Sequence, residues 1–369
     1  MNLTSSKKTL LLSGVALGIL ACILAYFGNP KNMAICVACF IRDSAGAMKL
    51  HTAAVVQYFW PEIVGFVCGS FLSFSFLIAL ATREYRSTAG SSPMLRFILG
   101  VIMMIGSLAF LGCPLRMVIR MAAGDLNAYV GFLGFAAGVF TGTIALKHGF
   151  SLGRAHETGK INGAVLPVVL VVLFVLSLIT TLFAFSEKGP GSMHAPALLA
   201  LAVALLFGAI AQKCRTCFAG SIRDVILMRN FDLITVIGGL FAVMLVFNLA
   251  TGGFKLSFAG QPVAHSQHIW NILGLYAVGF AAVLAGGCPL RQLVLAGQGS
   301  SDSAVTFLGL LVGAAFCHNF GLAASAAAAA TADTPAAPGG LAMAGKAAVI
   351  GCIVILFIIG FMPKQQEGK

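Results

Sequence analysis

The sequence predicts an all-α polytopic membrane protein. About ten transmembrane helices and four short re-entrant or partial helices are expected, in two inverted, pseudo-symmetric halves. Three observations carry this. Of 369 residues, 59% are hydrophobic and only 9% charged, and the mean hydropathy of +0.98 lies outside the soluble range. The pentapeptide Gly112-Cys113-Pro114-Leu115-Arg116 recurs letter for letter as Gly287-Cys288-Pro289-Leu290-Arg291. A CxxC-Phe precedes each copy, at Cys36, Cys39 and Phe40 and at Cys214, Cys217 and Phe218; Ile-Arg-Asp follows at 41–43 and 222–224.

The elements follow in order. Crossing the hydrocarbon takes about 20 apolar residues. Segments 10–27, 60–81, 95–112, 128–147, 163–185, 195–212, 233–250, 269–286, 304–323 and 341–362 meet that need. The first, after Lys7-Lys8, reads as an uncleaved span rather than a signal peptide. Segments 33–50, 113–123, 214–229 and 288–297 are too short to cross and hold the repeated cysteines and arginines. Broken backbone at membrane depth is tolerable only when protein or a water-filled cavity surrounds it, so these are read as partial helices. Residues 324–340, rich in Ala, Thr and Pro, read as a disordered loop.

The order of elements repeats, giving a half from 1–190 and a half from 191–369. The register extends past the motif: Phe132-Leu133-Gly134 and Gly138 lie as far beyond Cys113 as Phe307-Leu308-Gly309 and Gly313 beyond Cys288. Gly-xxx-Gly pairs suit close helix packing. Five spans per half is odd, so the second copy must be inserted upside down. With cytoplasmic termini, the loops read as inside carry Lys7, Lys8, Arg83, Arg86, Arg96, Lys147, Arg154, Lys160, Lys364 and Lys369. Those read as outside carry Lys188, Lys255 and Lys346. This positive-inside bias accounts for most of the +12 charge without a nucleic-acid partner.

Six of the ten cysteines are duplicated. The others (Cys22, Cys68, Cys317, Cys352) fall in apolar segments and read as small hydrophobes. In each GCPLR, glycine and proline break a helix where the thiol is placed, so Cys113 and Cys288 open short helices with free N–H groups nearby. Arg116 and Arg291, three residues on, add positive charge on the same face. Arg42 and Arg223 are further anion-attracting candidates, although Arg42-Asp43 and Arg223-Asp224 serve equally well as pins for short helices. The CxxC pairs fit a metal site, a redox dithiol or substrate-contacting thiols. Their opposite orientation argues against a four-cysteine zinc cage, and neither metal nor cofactor is expected. No nucleotide-binding motif is present. Glu62 is the only carboxylate placed for proton coupling, and it reads as an interfacial anchor.

The CxxCF and IRD motifs, the doubled GCPLR and the layout resemble the YeeE/YedE sulfur-transport family over nearly the whole chain, closest to the YedE branch assigned to selenium. The resemblance implies an hourglass-shaped bundle and uptake of a small inorganic sulfur or selenium species, such as a thiosulfate-like anion, across the bacterial cytoplasmic (inner) membrane. It implies central cysteines at Cys113 and Cys288, with Cys36, Cys39, Cys214 and Cys217 above and below, and no catalytic residues. A small cytoplasmic sulfur or selenium carrier is the implied protein partner. The rival reading is a thiol-disulfide conduit passing reducing equivalents through the CxxC pairs.

Overall fold

The computed structural model describes residues 3–30, 32–75, 87–328 and 337–361. Each of the fourteen segments read from the sequence holds an α-helix. The first half contains α1 (Leu3–Tyr26), α2 (Val37–Ala47), α3 (Pro61–Ser75), α4 (Pro93–Phe110), α5 (Pro114–Ala122), α6 (Leu126–Lys147) and α7 (Lys160–Ile179). The second contains α8 (Ala197–Lys213), α9 (Phe218–Met228), α10 (Asp232–Ala250), α11 (His268–Leu284), α12 (Pro289–Gly297), α13 (Ser301–Asn319) and α14 (Met343–Phe361). A two-residue ribbon, β1 (Thr88–Ala89) against β2 (His156–Glu157), is the one sheet among the described residues. The chain is a polytopic helical membrane protein. Nine helical stretches among the described residues are long and apolar enough to cross a bilayer, and α3 is a shorter apolar helix. The end of the 60–81 span, Arg83, Arg86, Lys364, Lys369 and loop residues 329–336 lie outside the described residues.

Two expectations need correction. The 163–185 span ends at Ile179, because Thr180 turns extended and the chain then bonds back toward α2, with Ala184 N–H to Ala47 O at 2.8 Å. Where residues 324–340 are described, they are ordered: Ser325 pairs with Gly340, and Ala328 with Ala337, by reciprocal backbone bonds.

Burial sorts the helices into layers. Of an 18-residue apolar stretch in each, 89% of the residues are buried in α4–α5 and 78% in α11–α12, against 28% in α7, α10 and α14, which form the lipid-facing wall. Apolar tails attract a helix as well as another helix does, so packing in lipid depends on close backbone approach. The repeated glycines supply it. A Cβ on Gly134 would strike the Ile272 carbonyl, and one on Gly138 the Tyr276 carbonyl, so α6 lies against α11. In the other half, Gly309 meets the Phe97 carbonyl and Gly313 meets Val101, so α13 lies against α4.

At the centre α4 crosses α11, with Gly106 against Gly274. Their directions are opposed. Arg96, near the start of α4, donates to Ala285 O just past α11 at 2.6 Å. His265, ahead of α11, bonds Ala109 O at the end of α4 at 2.8 Å.

Substitution should separate these surfaces. Gly138→Leu is expected to cost about 1–3 kcal/mol or more by overpacking α6 on α11. Gly351→Leu, where a side chain meets open space on α14, is expected to leave thermal stability in detergent unchanged.

Candidate functional site

The four short helices place the repeated motifs together. α2 packs against α12, and α5 against α9, so each CxxC helix touches the GCPLR helix of the other half. Cys36, Cys113, Cys217 and Cys288 are each the N-cap of a short helix, with extended backbone. All six duplicated cysteines are buried.

The glycine of GCPLR does more than interrupt a helix. A Cβ on Gly112 would lie 2.8 Å from Cδ of Arg116, and one on Gly287 2.7 Å from Cγ of Arg291. Each arginine stem thus folds back over the bare glycine toward its cysteine, a contact that a four-residue separation on a turn allows.

In the first half the arginine is fully enclosed. Arg116 Nε donates to Asn32 O at 2.9 Å, Nη2 to Val263 O at 3.3 Å, and Nη1 to Leu111 O and to Cys39 Sγ at 3.5 Å. Leu111 is left-handed (φ 64) where α4 stops, so its carbonyl leaves the helix ladder and needs a partner. Arg116 is therefore held by three backbone carbonyls and the sulfur of Cys39.

The second half uses other residues for that work. Gln292 Nε2 donates to Ala285 O at 3.0 Å and Gly287 O at 3.1 Å, and Arg96 also reaches Ala285 O. The position matching Gln292 in the first half is Met117, which cannot donate. In Arg291, Nη1 is buried and has no hydrogen-bond partner. Beside it stand free thiols, with Cys217 Sγ 4.0 Å from Cys288 Sγ and Gly220 N–H donating to Cys217 Sγ at 3.2 Å.

The CxxC pairs also differ. Cys36 and Cys39 are joined as a disulfide, whereas Cys113, Cys214, Cys217 and Cys288 are free. An array of six free thiols is thus corrected to four. The helix start explains the difference. α2 begins one residue after Cys36, so both sulfurs share its first turn; α9 begins only after Cys217. Cys214 instead ends α8 and turns its sulfur to Ile210 O (3.0 Å) and Thr216 Oγ1 (2.9 Å).

Arg42 and Arg223 are held by their neighbours. Arg42 Nε bonds Asp43 Oδ1 at 2.6 Å, and Trp60 Nε1 bonds the other oxygen at 3.0 Å while its ring stacks on Phe40 at 4.4 Å. Arg223 meets Asp224 at 2.8 Å. The Ile-Arg-Asp motif thus fastens the short helices, although Arg42 keeps a buried Nη2 without a partner. Sequence reading missed a further cluster. Arg120 pairs with Asp125 at 2.6 Å, donates to Phe110 O at 3.0 Å and lies over the Phe110 ring at 4.2 Å. Its place four residues after Arg116 was the available signal.

Two cavities flank these helices. One, of about 300 Å³, is lined by Met117, Met121, Phe132, Phe218, Ile222 and Phe241 and offers nothing to an anion. The other, of about 250 Å³, is bounded by Asn32, Ala34, Asn248 and Pro262, beside the loop that receives Arg116.

Comparison with known proteins fits this site. The family model described as "Sulphur transport" matches residues 213–368, which contain the free Cys214, Cys217, Cys288 and Arg291. The thiosulfate transporter TsuA of Spirochaeta thermophila is 31% identical over 113 residues, 30% of this chain and 33% of that protein. Over residues 213–368 the chain is similar to the sulfur-transport family. The matched stretch spans about a third of the length of TsuA. The first CxxC and GCPLR lie ahead of the residues that the family model matches.

The thiol states are directly measurable. Alkylation under denaturing, non-reducing conditions should modify Cys113, Cys214, Cys217 and Cys288 and spare Cys36 and Cys39 in peptide mass spectra. In a separate, unalkylated and folded sample, mild copper-catalysed oxidation by dioxygen should link Cys217 to Cys288.

Proposed function

We propose that this protein carries a small inorganic sulfur or selenium anion into the cell along a path formed by the cysteine-bearing short helices. One observation carries the reading: two buried thiols 4.0 Å apart beside a buried guanidinium nitrogen that has no partner. A guanidinium is a fork of N–H donors suited to an oxyanion, and polarizable thiols suit a soft chalcogen. Cys113, Cys288, Cys214 and Cys217 are the thiols of the path. Conduction needs several modest contacts rather than one deep site. Arg291 is the principal anion attractor; Arg42 supports it through its spare Nη2, and Arg223 is secondary.

The path reading rests on two inverted halves, 1–190 and 191–369. Equivalent helices α4 and α11 run antiparallel. That relation fits a pseudo-two-fold axis perpendicular to the helices, as in inverted-repeat transporters. With both termini in the cytoplasm, the Cys36 cluster faces outward and the Cys214 cluster inward. The membrane is the bacterial inner membrane, and a small carrier protein receives the substrate inside. Selenium as cargo rests on likeness to the YedE branch alone.

The disulfide at Cys36–Cys39, opposite free Cys214 and Cys217, favours a second reading: a conduit for reducing equivalents. Uptake of labelled thiosulfate and selenite by the purified chain in liposomes separates the two. With a dithiol reductant enclosed in the lumen, transport predicts substrate-specific, saturable uptake and an unchanged rate of external disulfide reduction in Cys214→Ser. The conduit predicts loss of that reduction.

Exchanging sulfur for oxygen in Cys288→Ser should lower uptake severely while leaving thermal stability intact. Arg291→Gln removes a charged donor worth about 1.5–3 kcal/mol, so half-saturation should rise roughly ten- to hundredfold. Equal uptake by Cys288→Ser and wild type would dismiss the thiol path.

A further inference from the structure

We propose that Glu62 is a proton site that couples entry of the anion to entry of H⁺; this rests on the transport reading above. Bringing a negative charge into a negative-inside cell costs about 2.3 kcal/mol per charge per 100 mV. Accumulation against that cost needs a co-transported cation, and the chain has no nucleotide-binding motif to supply energy otherwise. A proton site must be an acid that gains and loses its proton without stranding a buried cation.

The buried acids sort cleanly by that criterion. Among the described residues, Asp43 is paired with Arg42, Asp125 with Arg120 and Asp302 with Arg96. Protonating any of these leaves an arginine charge uncompensated in a low-dielectric interior. Glu62 has no such partner. It is 0% exposed, its Oε1 accepts from Asn29 Nδ2 at 2.9 Å, and its Oε2 is buried without a hydrogen bond. The interfacial-anchor expectation is therefore wrong, because an anchor would reach solvent.

The groups around Glu62 leave it as the titrating centre. Tyr58, within electrostatic reach, stacks at 3.9 Å on His194, which is exposed to solvent. Across Trp60 stands the Arg42–Asp43 pair of α2. The remaining neighbours of α3 are apolar where they meet it: Ala204, Leu205 and Gly208 of α8, and Val294 and Gly297 of α12. Beyond Lys160, α7 contains no titratable residue.

A short chain of bonds joins this acid to the cysteine site. Asn29 Nδ2 also donates to Ala34 O at 2.8 Å, and its Oδ1 accepts from Ala195 N–H at 2.9 Å. Two residues before Ala34, the Asn32 carbonyl holds Arg116, whose Nη1 touches Cys39 Sγ. A charged carboxylate draws a donor more strongly than a neutral acid does. Taking up H⁺ (carboxylate to carboxylic acid) therefore loosens the pull of Glu62 on Asn29 and shifts the amide toward Ala34. Releasing H⁺ inside reverses the shift.

The test uses the full chain in liposomes containing a pH-sensitive dye, with the potential clamped and labelled thiosulfate as probe. With one proton per cycle, wild type should acidify the lumen on adding thiosulfate, and its accumulation ratio should rise about tenfold per unit of inward pH gradient. Glu62→Gln keeps the acceptor for Asn29 and should still exchange thiosulfate, with no acidification and no response to the gradient. If Glu62→Gln fails to exchange, Glu62→Asp must keep the gradient response at a reduced rate. A wild-type ratio indifferent to the gradient, a fully responsive Glu62→Gln or an unresponsive Glu62→Asp overturns the coupling while exchange survives. No thiosulfate exchange by wild type sinks the transport reading itself and the coupling with it.

Discussion

Breaking a helix at membrane depth frees carbonyls that lipid cannot satisfy, and the centre of this protein is organised around supplying their donors. Arg116 and Arg120 do so at the end of α4, through Leu111 O and Phe110 O. Gln292 and Arg96 do so at the end of α11, through Ala285 O and Gly287 O. Everything else at the site depends on this. The cysteines can open short helices inside the membrane only because these side chains close the ends of the helices before them.

The same requirement separates two identical pentapeptides. In the first, the arginine is enclosed by carbonyls of Asn32, Leu111 and Val263, so it binds loop to loop and ties the two halves through Val263. In the second, Gln292 donates to the carbonyls of Ala285 and Gly287, and Arg291 retains a nitrogen without a partner next to free thiols. A duplicated motif has thus diverged into a structural copy and a copy with spare binding capacity. The residue after each motif also differs, Met117 in the first copy and Gln292 in the second.

The glycine ladders set how firmly this centre is held. Gly134 and Gly138 bring α6 onto α11, while Gly309 and Gly313 bring α13 onto α4. The broken spans are therefore clamped between close-packed neighbours, and α7, α10 and α14 remain as a lipid-facing wall. Asn29 and residues 32–36 lie between α1 and α2. There, Asn29 joins Glu62 to the backbone beside the first cysteine pair.

Composition and repetition alone determined the class, the fourteen helical segments, the breaks at Cys113 and Cys288 and the glycine register. Those properties are local: apolar length, proline at the first helical turn, and small residues at helical spacing. What each repeated side chain does was decided only in three dimensions. Arg116 and Arg291 end the same pentapeptide, yet the first takes carbonyls 84 and 147 residues away and the second keeps a buried Nη1 without a partner. The cysteine pairs differ because α2 begins before its second cysteine and α9 after. Glu62 read as an interfacial residue because it follows Pro61 at the head of a span, yet Asn29 and Ala195 close over it. A hydrogen bond is a property of two groups, and the sequence names both without saying that they meet.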